Sequence, residues 1–245
     1  MRKDNLGKDL TKKLLSLLGY KIAKIPGKRG TATPLFQSFN IDTIFDIGAN
    51  VGQYAQSLRN DGYNGRIISF EAVPEVHSIL RENARSDINW LIGENVALSD
   101  FVGTAVFYKS HNSVSSSLLT PTSESMAACP ETKICEEIHV PVRLFDEYFE
   151  FYTNRKNRVM LKIDAQGAEL KVLEGAKKSL QKISLIQVEL NVAEVYEGQP
   201  AYFEVDDALR MRNFNLVDIL PGFRNYQDGR LLQYDAVYAQ TIDDS

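Results

Sequence analysis

The chain has 245 residues, 44% of them hydrophobic, and is therefore long enough to bury one sizeable core. Its 28 basic and 32 acidic side chains give a net charge of −4, which argues against a broad nucleic-acid-binding surface. There is no apolar run of about 18 residues, and the charged N-terminus lacks the apolar core of a signal peptide. We therefore expect a cytoplasmic protein with one α/β domain and no nucleic-acid partner.

Residues 1–30 differ in charge from the rest of the chain, because they hold nine Lys or Arg against two Asp or Glu. Their leucines recur with roughly helical spacing, which predicts an amphipathic helix over residues 8–20. Residues 25–39 contain two prolines and two glycines and are predicted to form a loop or linker. The predicted division is a basic N-terminal helix and linker over residues 1–40 and a main domain over 41–245. The basic helix suits a peripheral membrane or partner contact, or simply packing on the body of the protein.

The main domain opens with the stretch T-I-F-D-I-G-A-N-V-G-Q-Y. A strand over about 43–47 leads through Gly48 and Gly52 into a helix over about 52–61. Glycines let a ligand approach the backbone closely, and a helix start offers unpaired N–H donors. Asn50 stands where the dinucleotide fingerprint has its second glycine, which predicts a ligand without pyrophosphate, such as S-adenosylmethionine. The alternative is a tight βα loop that binds nothing.

A second apolar strand over about 66–70 ends in Glu71, which lies 25 positions after Asp46. In a βαβ nucleotide-binding unit, an acid at this place accepts hydrogen bonds from ribose hydroxyls. The two acids and the glycine turn together therefore predict a nucleoside site.

The remaining sequence continues the alternation of strands and helices. The predicted elements are a helix over 74–85, strands over 89–96 and 102–108, an edge strand over 138–142, a helix over 144–149, a strand over 159–164, a helix over 168–180, a strand over 185–190, a helix over 202–212, and strands over 214–219 and 234–239. Pro141 places the 138–142 strand at a sheet edge. The Ser/Thr/Pro-rich residues 110–137 are predicted to be a long loop or lid insertion. This order predicts a mostly parallel, doubly wound sheet with a C-terminal antiparallel hairpin.

Four motifs in this order resemble one known family. F-D-I-G-A-N-V-G-Q-Y, I-S-F-E-A-V-P, N-V-A-L-S-D and L-K-I-D-A-Q-G-A-E-L-K-V-L-E-G-A, between Asp42 and Asn191, are similar to the FkbM family of S-adenosylmethionine-dependent methyltransferases. The resemblance implies an enzyme with a Rossmann-like class I fold. It also implies methylation of a hydroxyl on a sugar or secondary metabolite, so the expected acceptor is a small molecule or a glycan. The chain departs from the family at Gln166, where Glu is frequent, and in having Ala72 and Val73 between Glu71 and Pro74.

The strand ends of such a sheet predict the cofactor contacts. Asp46, the turn and the start of the next helix are expected to hold the methionine tail, and Glu71 the ribose. The family resemblance implies that Ala97, after the third strand, lies at the adenine, with Ala72 on the same side. The predicted cofactor-binding residues are Asp46, Gly48, Ala49, Asn50, Gly52, Tyr54, Glu71, Ala72, Ala97 and Asp164.

A hydroxyl is a poor nucleophile, so a base near the acceptor is expected. Asp164, at the end of a buried strand, is the first candidate, and its structural alternative is an N-cap for the following helix. Glu189 with Asn191 ends the next strand, and His111 in the Ser-rich segment is either a third candidate or a solvated loop residue. Asp164 and Glu189 also allow a divalent cation, but the histidines lack zinc-site spacing, and we expect no metal.

Two other functions fit the same fold. An NAD(P)-dependent oxidoreductase would carry a G-x-G-x-x-G turn, which Asn50 interrupts. A non-enzymatic binding protein could retain the fold without the chemistry. The turn after the fourth main strand, Asp164 to Gly167, lacks the N-P-P-Y pattern of enzymes that methylate amino groups of bases, which favours an oxygen acceptor.

Overall fold

The computed structural model describes residues 33–222, 224 and 228–241. The amphipathic helix predicted over residues 8–20, and with it the membrane or partner contact, lies outside these residues. Among the helices that are described, none is both long and apolar enough to cross a membrane.

The described residues form ten strands and seven α-helices. The strands are β1 (Thr43–Ile47), β2 (Arg66–Phe70), β3 (Trp90–Ile92), β4 (Ala97–Leu98), β5 (Gly103–Ser110), β6 (Ile134–Arg143), β7 (Val159–Ile163), β8 (Ile183–Asn191), β9 (Phe214–Pro221) and β10 (Gln233–Gln240). The helices are α1 (Thr33–Ser38), α2 (Gln53–Asn60), α3 (Pro74–Ala84), α4 (Ser123–Ala128), α5 (Asp146–Tyr152), α6 (Glu169–Gly175) and α7 (Tyr202–Arg210).

Seven of these strands form the main sheet, in the order β3-β2-β1-β7-β8-β10-β9. Every neighbouring pair from β3 to β8 is parallel, whereas β10 runs antiparallel to both β8 and β9. The predicted doubly wound sheet and antiparallel terminal pair are thus confirmed. Parallel strands joined by crossover helices leave their carboxyl ends together at one edge, where ligands bind.

Helices cover the sheet on both faces. On one face, α1, α2 and α3 bury Phe36, Leu58 and Leu80 in one apolar cluster. On the other face, α5, α6 and α7 contribute to a larger cluster, with Leu173 and Leu209 fully buried. Because β1, β7 and β8 are covered on both sides, their sequences are mostly apolar, and several of their polar residues lie at the site.

The prediction of a loop or linker over residues 25–39 is wrong for residues 33–38, because these form α1, which packs into the core. Phe36 is only 1% exposed and meets the ring of Tyr63 edge-on, with ring centroids 6.4 Å apart. Pro34 lies in the first turn of α1, where a missing N–H leaves no hydrogen bond unmade. The folded domain therefore includes residues before 41.

A second sheet of three strands has the order β4-β6-β5. The 138–142 strand was predicted to be an edge strand, and this is wrong because β6 lies in the middle. Pro141 is tolerated there because β4 pairs only with Val142 and Arg143, beyond the proline. Residues 110–137 are also not loop throughout, since β5 extends to Ser110, β6 begins at Ile134, and α4 lies between them.

Two further boundaries differ from the prediction. The helix expected over 168–180 ends at Gly175, because the N–H of Ala176 bonds to the carbonyl of Leu173 in a tighter turn. The strand expected over 89–96 covers only Trp90–Ile92, and Ala97 belongs to the second sheet instead.

Candidate active site

A cavity of about 300 Å³ opens at the carboxyl ends of β1, β2, β7 and β8. This is the edge at which open α/β sheets bind ligands. Nine of the twelve residues predicted from the sequence line it: Gly48, Ala49, Asn50, Tyr54, Glu71, Ala72, Ala97, Asp164 and Glu189. The structure therefore brings eight of the ten predicted cofactor residues and two of the three predicted catalytic residues to one place.

Asp46, Gly52 and His111 do not line the cavity. Asp46 is fully buried below it, so its carboxylate does not reach the space where a cofactor tail was expected. Gly52 has φ +92°, and a Cβ there would lie 2.5 Å from the ring of Trp90, so this glycine serves helix packing. His111 lies just after β5, where its side chain is exposed to solvent.

The glycine turn between β1 and α2 is internally hydrogen-bonded. Gly48 has φ +73°, and a Cβ at this position would lie 1.9 Å from the carbonyl oxygen of Asp164. All five backbone N–H groups of residues 48 to 52 have acceptors: Phe70 O for Gly48 and Ala49, Glu71 Oε2 for Asn50, Asn50 Oδ1 for Val51, and Ala49 O for Gly52. The turn itself therefore offers a ligand no unpaired backbone donor, whereas the predicted donors belong to the start of α2, where Gln53 and Tyr54 line the cavity.

Glu71 joins this turn to the end of β2. Its Oε2 accepts from the N–H of Asn50 at 2.9 Å, and its Oε1 accepts from the N–H of Val73 at 2.8 Å. Burial raises the pKa of Glu71, and the two N–H groups oppose that shift. Each carboxylate oxygen accepts about two hydrogen bonds, so both retain a position for ribose hydroxyls.

At the other side of the cavity, one amide joins the two predicted catalytic carboxylates. Gln166 Nε2 donates to Asp164 Oδ1 and to Glu189 Oε2, both at 2.6 Å. Its Oε1 lies 2.7 Å from the hydroxyl of Tyr196, which donates to it. Gln166 is a residue whose role the sequence prediction missed, because it was considered only as the loss of a family carboxylate.

Asp164 is not the N-cap of α6, which was its structural alternative. The N-cap position belongs to Ala168, and the loop N–H groups of Ala165 and Gly167 donate to the buried Glu169. Burial raises the pKa of Glu169 to about 7. Glu169 therefore holds the loop, which leaves Asp164 available to the cavity.

A buried lysine neutralises part of this acidic region. Lys162 Nζ lies 3.0 Å from Asp164 Oδ2 and 3.5 Å from Asp46 Oδ1. Burial by itself disfavours the ammonium, yet the nearby carboxylates, first that of Asp164, raise the pKa of Lys162 above its usual range. Among the described residues that line the cavity, Lys162 carries the one cationic side chain, beside the carboxylates of Glu71, Glu189 and Asp235. Within the described part of the chain, no three His, Cys, Asp or Glu side chains are grouped to hold a metal ion.

Lys162 and Asp235 were not predicted, although simple periodicity supports one of them. Lys162 lies two positions before Asp164, and alternate residues of a strand share a face. Asp235 reaches the site because β10 runs opposite to β8, so its first residues lie at the carboxyl edge of the sheet. No local signal in the sequence gives that strand order.

Part of the predicted lid covers the cavity. Ser113, Val114, Ser116 and Leu118 line it, and the short 3₁₀ turn Ser113–Ser115 is tied down at both sides. Asn50 Nδ2 donates to Ser113 Oγ at 3.0 Å, and the hydroxyl of Tyr196 lies 3.0 Å from the carbonyl oxygen of Ser115. We call residues 113–118 the strap.

The cavity suits S-adenosylmethionine in size and charge. Small side chains at Ala49, Ala72 and Ala97 leave room on the nucleoside side. The excess of carboxylates over the single ammonium favours a ligand with net positive charge, which the sulfonium and ammonium of this cofactor provide.

Comparison with known proteins identifies the family. The sequence profile of the methyltransferase FkbM domain matches residues 46–216. The curated 2-O-methyltransferase NoeI of Sinorhizobium fredii is 27% identical over 187 residues, which cover 74% of this chain and 71% of NoeI. Two solved structures are similar to this chain at a TM-score of 0.46. The METTL16 methyltransferase domain is 8% identical and the alignment covers 82% of this chain and 61% of that one. Aeropyrum pernix fibrillarin with natively bound S-adenosyl-L-methionine is 14% identical, and the alignment covers 93% of this chain and 74% of that one.

The chain belongs to the FkbM methyltransferase family, and S-adenosylmethionine is its cofactor.

Proposed function

We propose that this protein transfers a methyl group to a hydroxyl oxygen of a sugar or secondary metabolite. The observation that carries the proposal is the pair of carboxylates, Asp164 and Glu189, fixed by Gln166 at the wall of the cofactor cavity. The name of the distant relative NoeI, a 2-O-methyltransferase, supports an oxygen acceptor.

The two carboxylates have different tasks. Asp164 is fixed through both oxygens, one by Lys162 and one by Gln166, and is therefore oriented to accept a proton from the reacting hydroxyl. Burial, with the charges of Asp164 and Asp235 adding to it, raises the pKa of Glu189 well above its usual range. Glu189 therefore stays protonated to a higher pH than an ordinary glutamate and serves to hydrogen-bond the acceptor.

When bound, the cofactor supplies an electrophilic methyl group on a sulfonium. Asp164 would accept the hydroxyl proton while the acceptor oxygen would bond to the methyl group, and the electron pair of the broken C–S bond would stay on sulfur. Much of the rate comes from holding the acceptor oxygen in line with methyl and sulfur, which is the task of the cavity walls and the strap.

Radiolabelled methyl transfer by the purified protein tests the proposal. A panel of methyl glycosides and phenols is offered beside matched amino sugars, and products are identified by mass and by the position of the new methyl. We expect methyl ethers from hydroxyl acceptors and no methylated amines. Transfer only to amines would overturn the proposal, and cofactor binding without transfer to any acceptor would favour a binding protein.

Calorimetry with NADH beside S-adenosylmethionine completes the design. The oxidoreductase alternative requires a dinucleotide, and the side chain of Asn50, bonded to Ser113, stands where pyrophosphate would need space. We expect heat with S-adenosylmethionine and none with NADH.

A further inference from the structure

We propose that Lys162 binds the carboxylate of the methionine tail of the cofactor. The inference rests on the cofactor of the family and not on the choice of an oxygen acceptor. It assigns the tail to a side chain on β7, outside the glycine turn that the sequence indicated.

The first step is the absence of free donors in that turn. Every backbone N–H from residue 48 to residue 52 already donates to an acceptor in the chain. A carboxylate that enters the cavity loses its water and must be hydrogen-bonded or paired with a cation. Without such a partner, the desolvation costs roughly several kcal/mol.

The second step is the distribution of charge. The cavity-lining residues include the carboxylates of Glu71, Asp164, Glu189 and Asp235, and only Lys162 opposes them. Away from Lys162, no cationic side chain of the described residues lines the cavity to offset the charge of the tail carboxylate. The ammonium and sulfonium of the cofactor can be paired with any of these four carboxylates, so the tail carboxylate has the stricter requirement.

The third step is the donor capacity of Lys162 itself. An ammonium has three donors, and Lys162 makes one hydrogen bond, to Asp164 Oδ2 at 3.0 Å. Its 3.5 Å separation from Asp46 Oδ1 is longer than the roughly 3.2 Å limit of ordinary hydrogen bonds. That oxygen of Asp46 has no other hydrogen-bond partner. Lys162 therefore retains donors at a cavity wall.

The fourth step weighs a purely structural role. Lys162 lies in β7, whose five residues are all buried, and an ion pair in such a place stabilises a fold no better than apolar packing does. A lysine that served only to neutralise Asp46 would be expected to bond it closely. Lys162 Nζ is instead 3.5 Å from Asp46 Oδ1, which is too long for an ordinary hydrogen bond, and the Lys162 side chain also lines the cavity.

Calorimetric binding of two ligands tests the assignment without any turnover. S-adenosylmethionine and its decarboxylated analogue differ only in the carboxylate. We expect Lys162→Met to weaken the binding of S-adenosylmethionine by about 10- to 100-fold, which is the range for one hydrogen bond between charged groups. The same substitution should leave the decarboxylated analogue within a few-fold of wild type. Lys171→Met, at an exposed lysine of α6, is the matched control and should change neither.

Equal weakening of both ligands would overturn the assignment, because Lys162 would then act through the shape of the site. Unchanged binding of S-adenosylmethionine would overturn it as well. Side-chain NMR of nitrogen-labelled lysine in the wild type covers the case in which Lys162→Met does not fold. The Lys162 ammonium signal should shift with S-adenosylmethionine and much less with the analogue, and equal shifts would reject the proposal.

The outcomes also separate this inference from the proposed function. If S-adenosylmethionine gives no heat with wild type, the assignment fails together with the cofactor. If it binds through Lys162 but no hydroxyl is methylated, only the oxygen acceptor fails.

Discussion

At the nucleoside side of the cavity, the N–H groups of residues 48 to 52 all have partners within the chain. At the acceptor side, several carboxylates share the ammonium of Lys162 and the amide nitrogens of Gln166 and Gln233. The first region is complete before any ligand arrives. The second carries unbalanced negative charge that a cationic ligand would offset. The difference separates a rigid frame for the nucleoside from an electrostatic region suited to the reaction.

The largest expected effect is a loss of methyl-transfer rate when the base on the acceptor side is removed. Asp164→Asn keeps the size of the side chain but removes the proton acceptor, so methyl transfer should slow by about 10²- to 10⁴-fold. Single-turnover assays at saturating cofactor measure this loss. Glu197→Gln, at an exposed glutamate, is the control and should leave the rate unchanged. A rate loss under about 5-fold for Asp164→Asn would reject its role as the base.

The frame on the nucleoside side is tested by Gly48→Ala. A Cβ there would lie 1.9 Å from Asp164 O at φ +73°, so we expect about 4 kcal/mol of lost stability in urea unfolding. Gly62→Ala is the matched control, because Gly62 has φ +90° and nothing within 4 Å of the added Cβ. It should cost only about 1–2 kcal/mol, from the left-handed backbone alone. Equal losses for the two variants would show that the two regions are not in close contact.

The loop between the two regions is sensitive to pH through Glu169. Its pKa is raised by burial from 4.5 to about 7 in the folded protein. A carboxyl whose folded pKa exceeds its unfolded value stabilises the fold fully below the unfolded value and loses that contribution as the pH rises through the folded one. We expect the free energy of unfolding to fall by about 3 kcal/mol between roughly pH 4.5 and 8 through this group.

Urea unfolding of Glu169→Gln across this pH range tests whether Glu169 is the source of the pH dependence. The variant can still accept the N–H groups of Ala165 and Gly167 through its amide oxygen, and it does not titrate. It should therefore lose that part of the pH dependence, whereas Glu197→Gln should keep the wild-type profile. The same slope in wild type and Glu169→Gln would contradict the assignment.

The smallest effect concerns the strap. Ser113→Ala removes the hydroxyl that bonds Asn50, which should loosen the strap by about 1 kcal/mol and speed amide hydrogen exchange in residues 113–118 about 5-fold. Ser78→Ala, on the exposed side of α3, is the control and should leave exchange in the strap unchanged. Protection that is unaffected by Ser113→Ala would show that the hydrogen bond to Asn50 does not hold the strap in place.

The sequence was a good guide to the nucleoside side because its signals are local. The apolar runs of β1 and β2, the glycines between β1 and α2, and Pro74 at the start of α3 predicted these elements within one or two residues. The depth of Asp46 was missed, since strand periodicity gives the face of a side chain but not its distance from the sheet edge.

The acceptor side was predicted less completely because it is assembled from distant segments. Asp164 and Glu189 were found as strand ends, but Asp235 joins them only through the antiparallel placement of β10 between β8 and β9. The proline rule failed at Pro141 because it assumes two full-length neighbours, and β4 is only two residues long. Pairing partners and their lengths are properties of the whole fold, which a short window of sequence does not contain.

The place of β10 also has a consequence for the order of folding during synthesis. β10 leaves the ribosome after β9, yet it lies between β8 and β9 and contributes Asp235 to the cavity wall and Gln233 to the hydrogen bonding of Glu189. A nascent chain that has completed β8 and β9 has the nucleoside frame but exposes two unpaired strand edges. The acceptor side is thus the last part to be completed, so the growing protein can present a cofactor site before it can present a full site for the reaction.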